Sequence, residues 1–263
     1  MTNKNTLVLL AGWGLGIKPL NALTEALKKL LPDFTVQLQP LPDLIGKDFT
    51  GKNTATLIQQ LDDELPQNCW LAGWSLGGML ATAVAAQRQP TTAKNTCAGL
   101  ISLASNACFV ANDTWQNAMP ASTFAKFYTL CEKDLAKGLK RFSLLCSQDA
   151  VVSRQLAAEL NNHLESHPSD LAGLEYLAGL DLLASLDNRA AISDILAPQL
   201  HLFAENDALV PVAAAADLQR LNVAAIVEKL GRSHASLLAE PQLLAQRMAR
   251  FIASNSMASN PNA

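Results

Sequence analysis

Trp70-Leu71-Ala72-Gly73-Trp74-Ser75-Leu76-Gly77-Gly78-Met79 decides how this chain is read. An apolar run ends at Gly73, a single hydroxyl follows at Ser75, and Gly77-Gly78 open an alanine-rich segment. Residues 73–77 fit the pattern G-x-S-x-G, which average composition yields by chance in roughly one chain in ten to twenty of this length. The string alone is therefore weak, and its setting carries more. Cys69–Ala72 reads as a buried strand and Gly77–Gln87 as a helix, and a strand-to-helix turn is where a nucleophile elbow belongs. In such a turn the serine backbone is strained and its Oγ stands clear of the sheet. Side chains two residues before or after it would collide with the adjoining helix and strand. The competing role for Ser75 is a helix N-cap beside packing glycines.

The same alternation extends outward. Leu7–Ala11, Phe34–Gln39 and Leu100–Ala104 read as strands, with helices over Leu20–Leu31 and Ala55–Leu65. Strands resume at Gln199–Ala204 and Ala224–Glu228, with helices over Ala213–Leu221 and Pro241–Ala253. This predicts an α/β fold with a mostly parallel sheet and helices on both faces. Residues 107–190 show helical periodicity and no strand run. They read as a helical cap inserted between core segments 1–106 and 191–256, with a frayed tail at 257–263.

Composition bounds the function. Of 263 residues, 49% are hydrophobic and 16% charged, which suits one large globular unit and excludes disorder. A net charge of -3 argues against a nucleic-acid binder. The five cysteines (Cys69, Cys97, Cys108, Cys131, Cys146) form no CxxC pair, so reduced thiols in a cytoplasmic protein are expected rather than disulfides or zinc. The run Leu7–Ala11 is too short for a signal peptide, and no apolar stretch is long enough to span a membrane. Neither a metal nor an organic cofactor is expected, and a monomer is.

A serine hydroxyl needs a base to become a nucleophile. His201 lies inside a predicted buried strand and reads as a satisfied core residue. His163 and His167 share a helix face with no further ligand motif. His234 follows the last predicted strand in Gly231-Arg232-Ser233-His234-Ala235, at the sheet edge that also carries Ser75. The orienting acid should lie between the two and also follow a strand. Asp207 does, with Glu205 a rival nearer the strand and Asp181 and Asp187 inside the insertion. Two backbone N–H groups should hold an oxyanion. Leu76 supplies one, and the loop Gly12-Trp13-Gly14-Leu15-Gly16 supplies the other. That loop also imitates a dinucleotide site, but it lacks the full G-x-G-x-x-G spacing and a following ribose-binding acid.

The order Ser75, Asp207, His234 is that of the α/β-hydrolase superfamily, which the chain resembles. More narrowly it resembles the family of pimeloyl-[acyl-carrier-protein] methyl ester esterases of biotin synthesis. The residues carrying this are Leu9–Leu15, Trp70–Gly78, Leu103–Phe109, Asp113 with Trp115, and Asp207–Pro211. Two segments depart from the family pattern: Ala11-Gly12-Trp13 replaces His-Gly-Trp, and Leu41-Pro42-Asp43-Leu44 replaces Leu-Pro-Gly.

The resemblance implies a Ser75–His234–Asp207 triad, an oxyanion hole from Trp13 and Leu76, and no cofactor. It implies that Phe142, Ser143, Leu144, Leu145 and Cys146 line the acyl chain. Trp74 and Leu76, as bulky neighbours of Ser75, are expected from their position to shape which ester reaches it. It implies docking of an acyl carrier protein at Lys137, Arg141 and Arg154. Charge patterning agrees in part. Residues 126–154 carry six basic and three acidic residues, with Lys133, Lys137, Lys140 and Arg141 at helical spacing. Such a face steers an acidic partner, although a solvated helix face has the same pattern. The other readings are a broad carboxylesterase or thioesterase, and a hydrolase fold that only binds.

Overall fold

The computed structural model describes residues 5–47, 49, 51–88, 96–164 and 170–258. In chain order the elements are β1 (Asn5–Leu10), α1 (Asn21–Leu30), β2 (Phe34–Gln39), α2 (Gly51–Glu64), β3 (Cys69–Trp74), α3 (Leu76–Gln87) and β4 (Cys97–Leu103). Then come α4 (Ala121–Lys133), α5 (Leu135–Ser147), α6 (Ser153–His163), α7 (Asp170–Ser185) and α8 (Arg189–Asp194). The chain closes with β5 (Gln199–Phe203), α9 (Ala214–Leu221), β6 (Ile226–Lys229), α10 (Ser236–Ala239) and α11 (Pro241–Ala258).

The strands form one parallel sheet in the order β2-β1-β3-β4-β5-β6. All six residues of β3 are buried, as expected of a central strand covered on both faces. Helix α3 is apolar nearly all round and buries nine of its twelve residues, so it too is an interior element. Helix α1 is one-sided: Leu23, Ala26 and Leu27 are buried while Glu25, Lys28 and Lys29 face water. It packs against α11, and α3 packs against α2 and α8.

Helices α4–α7 lie between β4 and α8, where the sequence predicts an insertion. Its first residues are not helical. Residues 107–120 form a bridged loop, with Val110 opposite Met119 and Asn112 opposite Trp115. The two ends of the insertion are joined by a Cys108–Asp187 bridge, and the Asn188 N–H donates to the Ala107 carbonyl over 2.8 Å. Helix α11 runs through Ala258, two residues into the stretch expected as a tail, and Phe251 and Ile252 are buried on its inner face. Residues 259–263 lie outside the described residues. Helix α10 begins two residues after His234, where the sequence pattern predicts a loop. At four residues it is too short to show a period.

Candidate active site

Ser75 occupies the turn from β3 into α3 at φ 54°, ψ −120°, a strained conformation for a residue with a Cβ. Its N–H donates to Leu103 O in β4, over 2.9 Å. Its carbonyl accepts from Gly78 N–H over 2.9 Å and Met79 N–H over 3.2 Å. Strand and helix thus hold the residue in place. A Cβ on Gly73 would lie 2.2 Å from the Gly77 backbone, and one on Gly77 would lie 2.4 Å from the Leu10 and Ala11 carbonyls. Only glycine fits at either place. The hydroxyl makes no capping bond, so the helix-cap role is not performed.

Asp207 and His234 follow β5 and β6 at the same carboxyl edge. Their loops are zipped together, Glu205 N–H to Gly231 O and Asn206 N–H to Arg232 O, each 2.9 Å. His234 Nδ1 lies 2.8 Å from Asp207 Oδ2, and both side chains are fully buried. Asp207 Oδ1 accepts the N–H groups of Leu209 and Val210 over 2.8 and 2.9 Å. Both carboxylate oxygens are therefore committed. With Nδ1 on the carboxylate, His234 Nε2 is left buried with no hydrogen-bond partner among the described residues. The rival Glu205 is exposed, and Asp187 is bound by Arg189.

A second serine–histidine contact exists, with Ser102 Oγ 2.7 Å from His201 Nδ1 on neighbouring strands. The far nitrogen of His201 meets the Gln199 amide oxygen at 3.1 Å, not a carboxylate. Burial pushes this imidazole down to about 4, so it stays neutral. Ser102 lies within β4 rather than on a strained turn. This is the satisfied core histidine expected from its place in a strand.

The pairing of Leu10 with Gly73 sets the loop after β1 beside the elbow. A Cβ on Gly12 would lie 2.8 Å from the Trp74 ring. The N–H groups of Trp13 and Leu76 make no hydrogen bond to any described residue. The Trp13 indole is pinned by Nε1–H to Tyr176 O, 2.8 Å, and by edge contacts with Phe127 and Phe142 at 5.8 and 4.9 Å.

Trp13 walls a small apolar cavity, lined also by Phe109, Met119, Thr123, Phe124, Phe127, Phe142, Leu145, Leu180, Leu183 and Leu209. Of the predicted acyl stretch, Phe142 and Leu145 are on this wall. Leu144 is not. It is 53% exposed, because a 100° step per residue turns it outward with Arg141. Ser143 is buried with its hydroxyl on Leu139 O, and Cys146 is sealed in the core. Burial, with Asp207 nearby, pushes the Cys146 thiol well up. Trp74 is fully buried, is absent from the cavity wall, and donates its indole N–H to His234 O over 2.9 Å. Leu76 is likewise buried and off the cavity wall.

Sequence reading missed the walls from α4 and α7. Their i, i+3 pairs Phe124/Phe127 and Leu180/Leu183 signal inward faces but not that the faces meet. Lys137, Arg141 and Arg154 are exposed, and Lys137 Nζ lies 3.9 Å from Asp134. Lys137, Lys140 and Arg141 are on α5 and Arg154 is on α6, whereas Lys133 ends α4, and Asp134 caps α5 by accepting from Lys137 N–H. Among the described residues no group of three His, Cys, Asp or Glu is placed to hold a metal ion. His167 lies outside the described residues. No described helix is long and apolar enough to cross a membrane.

The fold has known counterparts. Among solved structures the chain is similar to a bromoperoxidase from Bacillus anthracis, with TM-score 0.78, 15% identity, and 95% and 92% of the two chains covered. It is also similar to the enol-lactonase from Burkholderia xenovorans LB400, with TM-score 0.71, 15% identity, and 95% and 92% covered. At such identities these show the fold alone. In sequence it is 36% identical to the biotin biosynthesis bifunctional protein BioHC of Cellvibrio japonicus, over 93% of this chain and 47% of that protein. The chain thus spans about half the length of that first relative. It is 35% identical to the pimeloyl-[acyl-carrier protein] methyl ester esterase of Aromatoleum aromaticum, over 91% of this chain and 95% of that protein. The alpha/beta hydrolase family matches residues 7–247, and the chain belongs to that family.

Proposed function

We propose that the chain is a serine ester hydrolase acting on the methyl ester of a pimeloyl group borne by acyl carrier protein. Ser75 Oγ attacks the ester carbonyl while His234 Nε2 takes its proton. Asp207 fixes the imidazole tautomer and stabilises the imidazolium. The N–H groups of Trp13 and Leu76 hold the oxyanion. His234 then protonates the leaving methanol, and water activated by the same nitrogen releases the acid. No step calls for a metal or organic cofactor.

One observation carries this reading. A buried His234–Asp207 bond leaves Nε2 unpartnered, on a loop at the same carboxyl edge of the sheet as the strained, glycine-flanked Ser75. The substrate class rests on the names of the relatives and on the cavity, whose carbon walls suit methylenes. The segment 107–190 serves as the cap, with the inner face of α5 toward the acyl chain. Its outer face carries Lys137, Lys140, Arg141 and Leu144, a basic surface with an apolar centre that suits an acidic carrier.

The test is methanol release from the methyl ester of pimeloyl-carrier protein. Wild type should turn over and Ser75→Ala should lose at least about 10³-fold. Equal rates would remove Ser75 as nucleophile. A cleaved short p-nitrophenyl ester with an inert carrier substrate would favour a broad esterase.

A further inference from the structure

We infer that Trp74 is the positioning residue for the base, holding His234 in register with Ser75 through its indole N–H. The inference rests on the ester-hydrolase reading above. A bulky residue beside a nucleophile is expected to shape substrate access, but this indole has none. It is fully buried, and it lines no part of the apolar cavity. Instead Nε1–H donates to the His234 carbonyl over 2.9 Å, and the two rings lie 5.4 Å apart, tilted by 45°.

The imidazole needs two anchors to aim Nε2. Asp207 Oδ2 fixes Nδ1 at 2.8 Å. The backbone of His234 is the second anchor, and it sits on a loop between a four-residue strand and a four-residue helix. Its carbonyl is held by Trp74. The next N–H, that of Ala235, is held by Cys146 O at the end of α5, over 3.0 Å. Trp74 is covalently adjacent to Ser75. Nucleophile and base, 159 positions apart in sequence, are thus tied by one hydrogen bond from the nucleophile's own neighbour. A displacement of the elbow carries the histidine with it. Gly12 fits this arrangement, since a Cβ there would press on the Trp74 ring at 2.8 Å.

The test removes the donor and keeps the shape. Trp74→Phe and a site-specific 3-benzothienylalanine at 74, which replaces N–H by sulfur, are compared with wild type on a short p-nitrophenyl ester. Both should lower kcat about 10- to 100-fold, the scale of a misplacement near 1 Å, with KM within about twofold. Inactivation by a fluorophosphonate, which also needs the base, should slow by the same factor. In a Ser75→Ala background neither change at 74 should alter the residual rate. A rise in KM with kcat unchanged would make Trp74 a substrate contact and overturn the inference. So would full activity of the benzothienyl protein, even if Trp74→Phe were slow or failed to fold. If Ser75→Ala itself retains full activity, the hydrolase reading falls first, which separates the two failures.

Discussion

Asp207 Oδ2 lies 2.8 Å from His234 Nδ1, and Asp207 Oδ1 is held by two backbone N–H groups. This asymmetry dictates what an amide at 207 would do. In Asp207→Asn the Leu209 and Val210 N–H groups claim the amide oxygen. The NH2 then faces Nδ1 and forces the proton to Nε2, the nitrogen that must accept from Ser75. Ester hydrolysis should fall on the order of 10³- to 10⁴-fold with KM little changed. Steady-state kinetics on a small ester checks it, and a loss under tenfold would contradict the tautomer argument.

The apolar cavity predicts a chain-length effect. Leu183, buried on its wall, can be enlarged to fill it. Leu183→Trp should cut kcat/KM for a heptanoyl ester roughly 10- to 100-fold, since each excluded methylene is worth about 1 kcal/mol or more. The acetyl ester should be spared. Equal losses on both would place the acyl chain elsewhere.

The basic outer face of the cap predicts a loss confined to the tethered substrate. Charge reversal at Lys137, Arg141 and Arg154 should slow hydrolysis on carrier protein by roughly tenfold or more at low salt, and less at high salt. A short soluble ester should be unaffected. Comparison of the two substrates at two salt concentrations tests it, and parallel losses would count against docking there.

His201 predicts an acid sensitivity separate from catalysis. Its folded pKa is depressed to about 4 by burial, below the ordinary 6.5. The unfolded chain therefore takes up a proton that the folded chain refuses. The associated stability is intact above pH 6.5 and is lost as pH falls through the window toward 4, a total of about 3 kcal/mol. Urea unfolding of wild type and His201→Asn at pH 7 and pH 4 isolates it. The wild type should lose about 3 kcal/mol more over that interval than the variant.

Much of this molecule follows from local chemistry. The apolar run Cys69–Ala72, the glycines at 73 and 77 and the helix beyond them specify an elbow, because only glycine tolerates the backbone approach there. The strand after which each of Ser75, Asp207 and His234 falls is likewise readable, and in a parallel sheet those strand ends share one edge. Tertiary structure decided the rest. Phe142-Ser143-Leu144-Leu145-Cys146 reads as one lining stretch, yet a helix rotates 100° per residue, so Phe142 and Leu145 face the cavity while Leu144 faces water. Phe124, Leu180 and Leu183 become walls only because α4, α5 and α7 lean together over Trp13. Trp74 reads as a gatekeeper beside the nucleophile. Its donor instead finds a carbonyl 160 residues away, because a buried indole N–H must be satisfied and that oxygen was within reach.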